Sequence, residues 1–201
     1  MNTYLGSSSK LDENDISKDL IKHSEYLLIE GYLVSSNQTL KVCTKAIEFS
    51  RHNQTKIVLT LSDPNIVKFF RDNILNLLKK KIDFIFCNEL EAKYFSQTNT
   101  TKEALTFLKR FADRIVVTLG SKGAVYTDNS NDYIVDGIGV KSKDFTGAGD
   151  MFLGAFMHKF KSPENAHESL IFANTCASKI IQTFGAKFEK DSDYASLING
   201  R

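Results

Sequence analysis

The segment that most constrains this chain is Asp144-Phe145-Thr146-Gly147-Ala148-Gly149-Asp150, which runs directly into the apolar stretch from Met151 to Phe160. Two glycines around one alanine let the backbone turn tightly and approach a ligand closely. Phe152, Ala155, Phe156 and Phe160 then recur at helical spacing, so the spacing predicts a helix with an apolar face over 148–160. A glycine-rich turn feeding a helix N-terminus collects unpaired N–H groups and the positive end of the helix dipole, which makes it an anion site. Asp150 falls at that N-terminus, where the dipole favours a carboxylate, a setting suited to a general base. An anion hole formed by Gly147, Ala148 and Gly149 with a base beside it contains the parts needed to move a phosphoryl group onto a hydroxyl.

The rest of the chain reads as alternating strands and helices. Strands are expected at 26–30, 56–61, 83–87 and 114–119, and a hairpin at 123–127 and 133–135 turns on Asp128-Asn129-Ser130-Asn131. Helices are expected at 12–22, 36–52, from Ser62-Asp63-Pro64 to about Lys80, at 89–95, 102–112 and 148–160, and from Ser162-Pro163-Glu164 to Gly185. The Lys79-Lys80-Lys81 run reads as a solvated helix end. Such alternation implies a parallel sheet covered on both faces, with ligands beyond the carboxyl ends of the strands. Asn88, the segment Thr118 to Gly123 and the glycine-rich turn lie at such ends.

Length and balance narrow the class. The 201 residues suffice for a real core and are expected to form one domain, 1–201. Charged residues make up 25% and hydrophobic ones 42%, which excludes a disordered chain, and the net charge of +2 gives no electrostatic case for nucleic acid or a membrane surface. No apolar run is long enough to span a bilayer, and no basic-then-apolar leader is read at the start, so a cytoplasmic protein is expected. Cys43, Cys87 and Cys176 are odd in number, widely spaced and set in apolar contexts; they are expected to be reduced core residues. The four histidines show no ligand spacing.

Asp-x-Thr-Gly-Ala-Gly-Asp followed by an apolar helix resembles the signature of the PfkB carbohydrate kinases, the ribokinase and adenosine kinase superfamily. Phe145 departs from the usual Thr, and Met151 stands where many members have Ser. Three further segments follow in the family's order. Asn88-Glu89-Leu90-Glu91 resembles its Asn-x-x-Glu motif, which implies that Asn88 and Glu91 organise Mg²⁺ and phosphate through water; by itself it is also an ordinary capped helix start. Thr118-Leu119-Gly120-Ser121-Lys122-Gly123 resembles the Thr-x-Gly-x-x-Gly nucleotide segment, which implies nucleotide contacts at Thr118, Gly120 and Gly123; by itself it is equally a plain turn. Phe172-Ala173-Asn174-Thr175-Cys176-Ala177 resembles the helix bordering the adenine site, with Asn174 as the polar candidate or as part of a packed small-residue face.

Ile29-Glu30-Gly31-Tyr32, Leu61-Ser62-Asp63-Pro64 and the opening Met1-Asn2-Thr3-Tyr4-Leu5-Gly6 resemble the adenosine-kinase-like branch of sugar kinases. The resemblance implies a ribokinase-like α/β fold with a mostly parallel sheet and helices on both faces. It also implies ATP-dependent phosphorylation of a hydroxymethyl group on a sugar or nucleoside, with ATP and Mg²⁺ as cofactors. Asp144 would shape the turn or border a monovalent-cation site, as in some relatives. The family's N-terminal strands, lid, Gly-Gly substrate segment and acidic sugar-gripping residue are not recognisable here. The expectation is a truncated kinase; the alternatives are a nucleotide-binding subunit that needs a separately encoded N-terminal half, and an inactive remnant.

Overall fold

The computed structural model describes residues 5–198, so the resemblance read at Met1 to Tyr4 lies outside the described residues. The chain resolves into two compact units, the first ending at Val117 and the second beginning at Thr118.

In the first unit, a short helix α1 (Lys18–Lys22) precedes a strict alternation: β1 (Tyr26–Glu30), α2 (Asn37–His52), β2 (Lys56–Thr60), α3 (Pro64–Leu77), β3 (Ile82–Asn88), α4 (Glu89–Ser96), α5 (Thr101–Leu108) and β4 (Ala112–Thr118). The strands lie in the order β1-β2-β3-β4. β1 pairs parallel with β2 in the register Leu28↔Val58, and β2 pairs parallel with β3 in the register Val58↔Phe84. Helices α2, α3 and α4 touch in succession and so form one layer. That is what right-handed crossovers between strands laid down in sequence order produce. Capping residues set the helix starts: Ser36 accepts from Thr39 N–H ahead of α2, Asp63 accepts from Asn65 N–H with Pro64 at the first helical position of α3, and Thr100 forms a capping box with Glu103 at α5. Phe84, Ile85, Phe95, Leu108 and Ile115 are fully buried, and the Phe95 ring meets those of Phe107 and Phe111 at 5.7 and 5.9 Å.

The second unit opens on the hairpin β5 (Ala124–Thr127) and β6 (Asp132–Val135), antiparallel with Ala124 opposite Val135. Three helices follow: α6 (Ala148–Lys159), α7 (Ala166–Ile180) and α8 (Asp191–Ile198). Helices α6 and α7 pack closely on each other. Tyr126 stacks on Phe156 with ring centroids 6.1 Å apart, and Phe156 on Phe160 at 5.4 Å. The hairpin turn is organised by one buried carboxylate. Asp128 accepts from Tyr126 Oη at 2.7 Å and from the Ser130 and Asn131 N–H groups at 2.7 Å each. Burial opposes its ionisation, yet those donors hold its carboxyl below the usual range.

Four expectations are corrected. The helix expected over 12–22 is a 3₁₀ turn at Glu13–Asp15 and the short α1, because Asp12 and Ser17 each cap a fresh start. Helix α3 stops at Leu77, so the lysine run lies beyond it, where Arg51 Nη2 binds the Lys80 and Lys81 carbonyls. Helix α5 ends at Leu108 and Ala112 opens β4. Before α7 comes a separate 3₁₀ turn, Pro163–Asn165, and α8 was not foreseen.

The three cysteines are free and buried. Burial pushes the Cys43 thiol up to about 11 and raises those of Cys87 and Cys176. Among the described residues no helix is long and apolar enough to cross a membrane.

Replacing Asp128 by Ala removes its bonds to the Tyr126 hydroxyl and to the Ser130 and Asn131 N–H groups, and should destabilise the protein by about 2 kcal/mol in denaturant titration. A loss within error of zero would show that the turn holds without the carboxylate.

Candidate nucleotide and phosphoryl-transfer site

The geometry of the glycine-rich turn is set by its neighbours in the second unit. Asp144 Oδ1 accepts from Thr146 N–H at 2.9 Å and from Thr146 Oγ1 at 2.7 Å, while Oδ2 accepts from Gly185 N–H at 2.9 Å. The backbone is tied to the same place, since the Lys143 and Asp144 N–H groups both donate to the Ile181 carbonyl, at 2.7 and 3.2 Å. These donors, Thr146 and Gly185 foremost, hold the Asp144 carboxyl below the usual range. Gly147 has φ +77°, and a Cβ there would lie 2.7 Å from the Ala186 backbone, so no other residue fits without moving the segment after α7. The turn is therefore fastened at three points to residues 181–186.

Helix α6 starts at once, with Ala148, Gly149 and Asp150 as its first three residues. Ala148 donates its N–H to the Phe145 carbonyl at 3.2 Å. Gly149 points the place of a Cβ into open space, with nothing within 4 Å.

Gly149 is in the lining of a cavity of about 290 Å³, with Thr118, Gly120, Gly123, Ile138, Phe145, Ala148, Phe152, Asn174 and Ile181, among others. The structure thus gathers Thr118, Gly120, Gly123, Ala148, Gly149 and Asn174, drawn from three separate segments, around one space. Gly120 also faces open space. Gly123 has a second reason to be glycine: at φ +107°, its Cβ would sit 1.9 Å from the Val135 carbonyl oxygen. Asn174 Nδ2 donates to the Asp136 carbonyl at 2.7 Å, which anchors the 136–140 segment that forms one wall. Gly147 is outside the lining, pinned against Ala186. Asp150 is outside it too; it is exposed and borders a neighbouring groove with Gly154, His158, Phe172 and Tyr194. The apolar wall residues Ile138, Val140 and Ile181 carry no motif and were not foreseen.

Asn88 and Glu91 sit together in the first unit, at the junction of β3 and α4. They form a reciprocal capping box. Asn88 Oδ1 accepts from Glu91 N–H at 2.9 Å, and Glu91 Oε2 accepts from Asn88 N–H at 2.9 Å. Asn88 Nδ2 adds a 2.6 Å bond to Glu91 Oε1. Each Glu91 oxygen accepts one of these bonds and keeps a lone pair, so a water could bind there without breaking the cap. Among the described residues no group of three or more His, Cys, Asp or Glu is placed to hold a metal.

Glu91 is only 4% exposed. Burial pushes its carboxyl up to about 7; the Asn88 backbone bond opposes this and the charge of Asp63 adds to it. A carboxyl raised on folding stabilises the protein while protonated, so its contribution is present below the unfolded pKa and is lost as pH rises through about 7. The stability of Glu91→Gln relative to the parent should therefore rise by about 3 kcal/mol between pH 4.5 and pH 8. A pH-independent difference in chemical denaturation would refute the shift.

Comparison with known proteins places these features in a lineage. The chain is 31% identical to the ribokinase of Staphylococcus aureus (strain COL), over 92% of its own length and 60% of that protein's. The adenosine kinase from Sinorhizobium meliloti superposes with a TM-score of 0.90 at 26% identity, covering 99% of this chain and 62% of that one. A putative ribokinase II from E. coli, solved in complex with ATP and Mg²⁺, superposes with a TM-score of 0.80 at 22% identity, over 96% of this chain and 64% of that one; at that identity it speaks for the fold alone. The chain spans about 60% of the length of the relatives it matches. The family model described as pfkB family carbohydrate kinase matches residues 1–192, and with its α/β alternation and glycine-rich turn this chain belongs to the PfkB family of carbohydrate and nucleoside kinases.

Proposed function

We propose that this chain carries the ATP-binding and phosphoryl-transfer portion of a PfkB-type kinase that phosphorylates a hydroxymethyl group of a sugar or nucleoside. The observation that carries the reading is the convergence of Thr118, Gly120, Gly123, Gly149 and Asn174 on one cavity at the N-terminus of a twelve-residue helix whose third residue is Asp150. Names among the relatives support both acceptor classes, ribokinase on one side and adenosine kinase on the other. The relative solved with ATP and Mg²⁺ supports the cofactors.

In this reading the nucleotide occupies the cavity, with its phosphates toward the start of α6. Gly149, unobstructed, lets the phosphates come close to the helix N-terminus, and the helix dipole stabilises the charge that builds on the transferred group. Asp150 takes the proton as the acceptor oxygen bonds to the γ-phosphorus and the bond to the ADP oxygen breaks. Mg²⁺, when bound, would neutralise phosphate charge; Asn88 and Glu91 of the first unit are the residues proposed to organise it, through water. The three donors on Asp144 favour a turn-shaping role for it over that of a monovalent-cation ligand.

Mg-ATP at a hundredfold excess over Kd should stabilise the chain by about 2.7 kcal/mol by mass action, and Gly149→Val, which fills the space the phosphates need, should abolish the shift. A chain indifferent to Mg-ATP would sink the reading. In a kinase with an acceptor region, Asp150→Asn should cut kcat about 10²–10⁴-fold while sparing ATP binding; retained transfer would refute the base assignment. Asp144→Ala should lower kcat roughly ten- to a hundredfold by loosening the turn. Unchanged kcat would show that the backbone bonds to Ile181 suffice.

A further inference from the structure

The large apolar side chain at Phe145 is 71% exposed, although it stands beside an apolar cavity wall. Its backbone has no freedom to withdraw it. Asp144 on one side is bonded through its N–H to the Ile181 carbonyl and through its carboxylate to Gly185. Thr146 on the other side is bonded through its N–H and hydroxyl to Asp144, and the Phe145 carbonyl accepts from Ala148. The turn that carries the ring is therefore fixed at the cavity edge, and Phe145 shares the lining with Ile138, Val140, Ala177 and Ile181. It also occupies the one position of the Asp144–Gly149 turn where this chain departs from the usual residue.

A ligand that places phosphates at Gly149 and also fills this space must present an apolar face to Ile138, Val140, Phe145 and Ile181. A nucleobase has such a face, and aromatic rings stack on bases irrespective of their hydrogen-bonding edges. Resting on the proposed nucleotide site, we propose that Phe145 is a base-binding residue: the aromatic platform on which the base of the bound nucleotide stacks.

The test separates the base from the phosphates. The parent chain, Phe145→Thr, Phe145→Leu and Phe145→Tyr are titrated with Mg-ATP and with Mg-tripolyphosphate, by calorimetry, after thermal melts without ligand confirm that each is folded. The expected result is that Phe145→Thr and Phe145→Leu bind ATP about tenfold more weakly, tripolyphosphate binding is unchanged, and Phe145→Tyr keeps the parental ATP affinity. An ATP affinity unchanged in Phe145→Thr overturns the proposal, as does an equal loss for both ligands, which would assign Phe145 to the anion turn instead. A parent chain that binds neither ligand overturns the nucleotide site itself and this proposal with it. Failure of the platform alone shows instead as normal parental binding with an indifferent variant.

Discussion

The carboxylate of Asp144 is the interaction on which the second unit's site depends. One oxygen closes the local turn onto Thr146, and the other reaches forty-one residues along the chain to the Gly185 N–H. With the two backbone bonds to Ile181, it fixes where α6 begins and therefore where its N–H groups point. A helix N-terminus attracts anions wherever it is; this one is useful because its position relative to the cavity is set by hydrogen bonds rather than by a free loop. The contact of Gly147 with Ala186 reinforces that arrangement from the steric side.

The first unit uses a carboxylate differently. Glu91 is buried and its two oxygens serve Asn88, so it stabilises the junction of β3 and α4 at the cost of desolvation. Asp144 is open to water and held ionised; Glu91 is enclosed and titrates near neutrality. Two acidic residues of similar chemistry thus have opposite electrostatic characters, set by whether donors or apolar walls dominate their surroundings.

Much of this was legible in the residues, for identifiable reasons. β1, α2 and the β5–β6 hairpin are read at or within a residue of their ends because local chemistry defines them: a short apolar run closed by Gly31, Ser36 as a cap, and a turn-forming Asp-Asn-Ser-Asn. The break within 12–22 was missed because Asp12 and Ser17 both cap, and helical periodicity passes over such a restart. α8 was missed because its segment begins with charged residues and buries only Leu197, so it carries almost no apolar periodicity. In the site, the glycines and Asn174 are legible as motif positions. Ile138, Val140 and Ile181 are not, since a cavity wall is built from apolar residues that look like any others until the chain is folded. The distant bond from Asp144 to Gly185 has no local signal at all.

The three buried thiols have a practical consequence. Only the thiolate attacks disulfides and alkylating reagents, and burial raises the pKa of each cysteine, so the folded chain presents almost no nucleophilic sulfur. Labelling must then wait for the backbone around a cysteine to open. Cys43 and Cys87 lie in the first unit and Cys176 in the second, which makes the sulfur atoms native clocks for breathing motions in each half. A ligand that binds the second half should slow the clock at Cys176 while leaving the other two to run at their own pace.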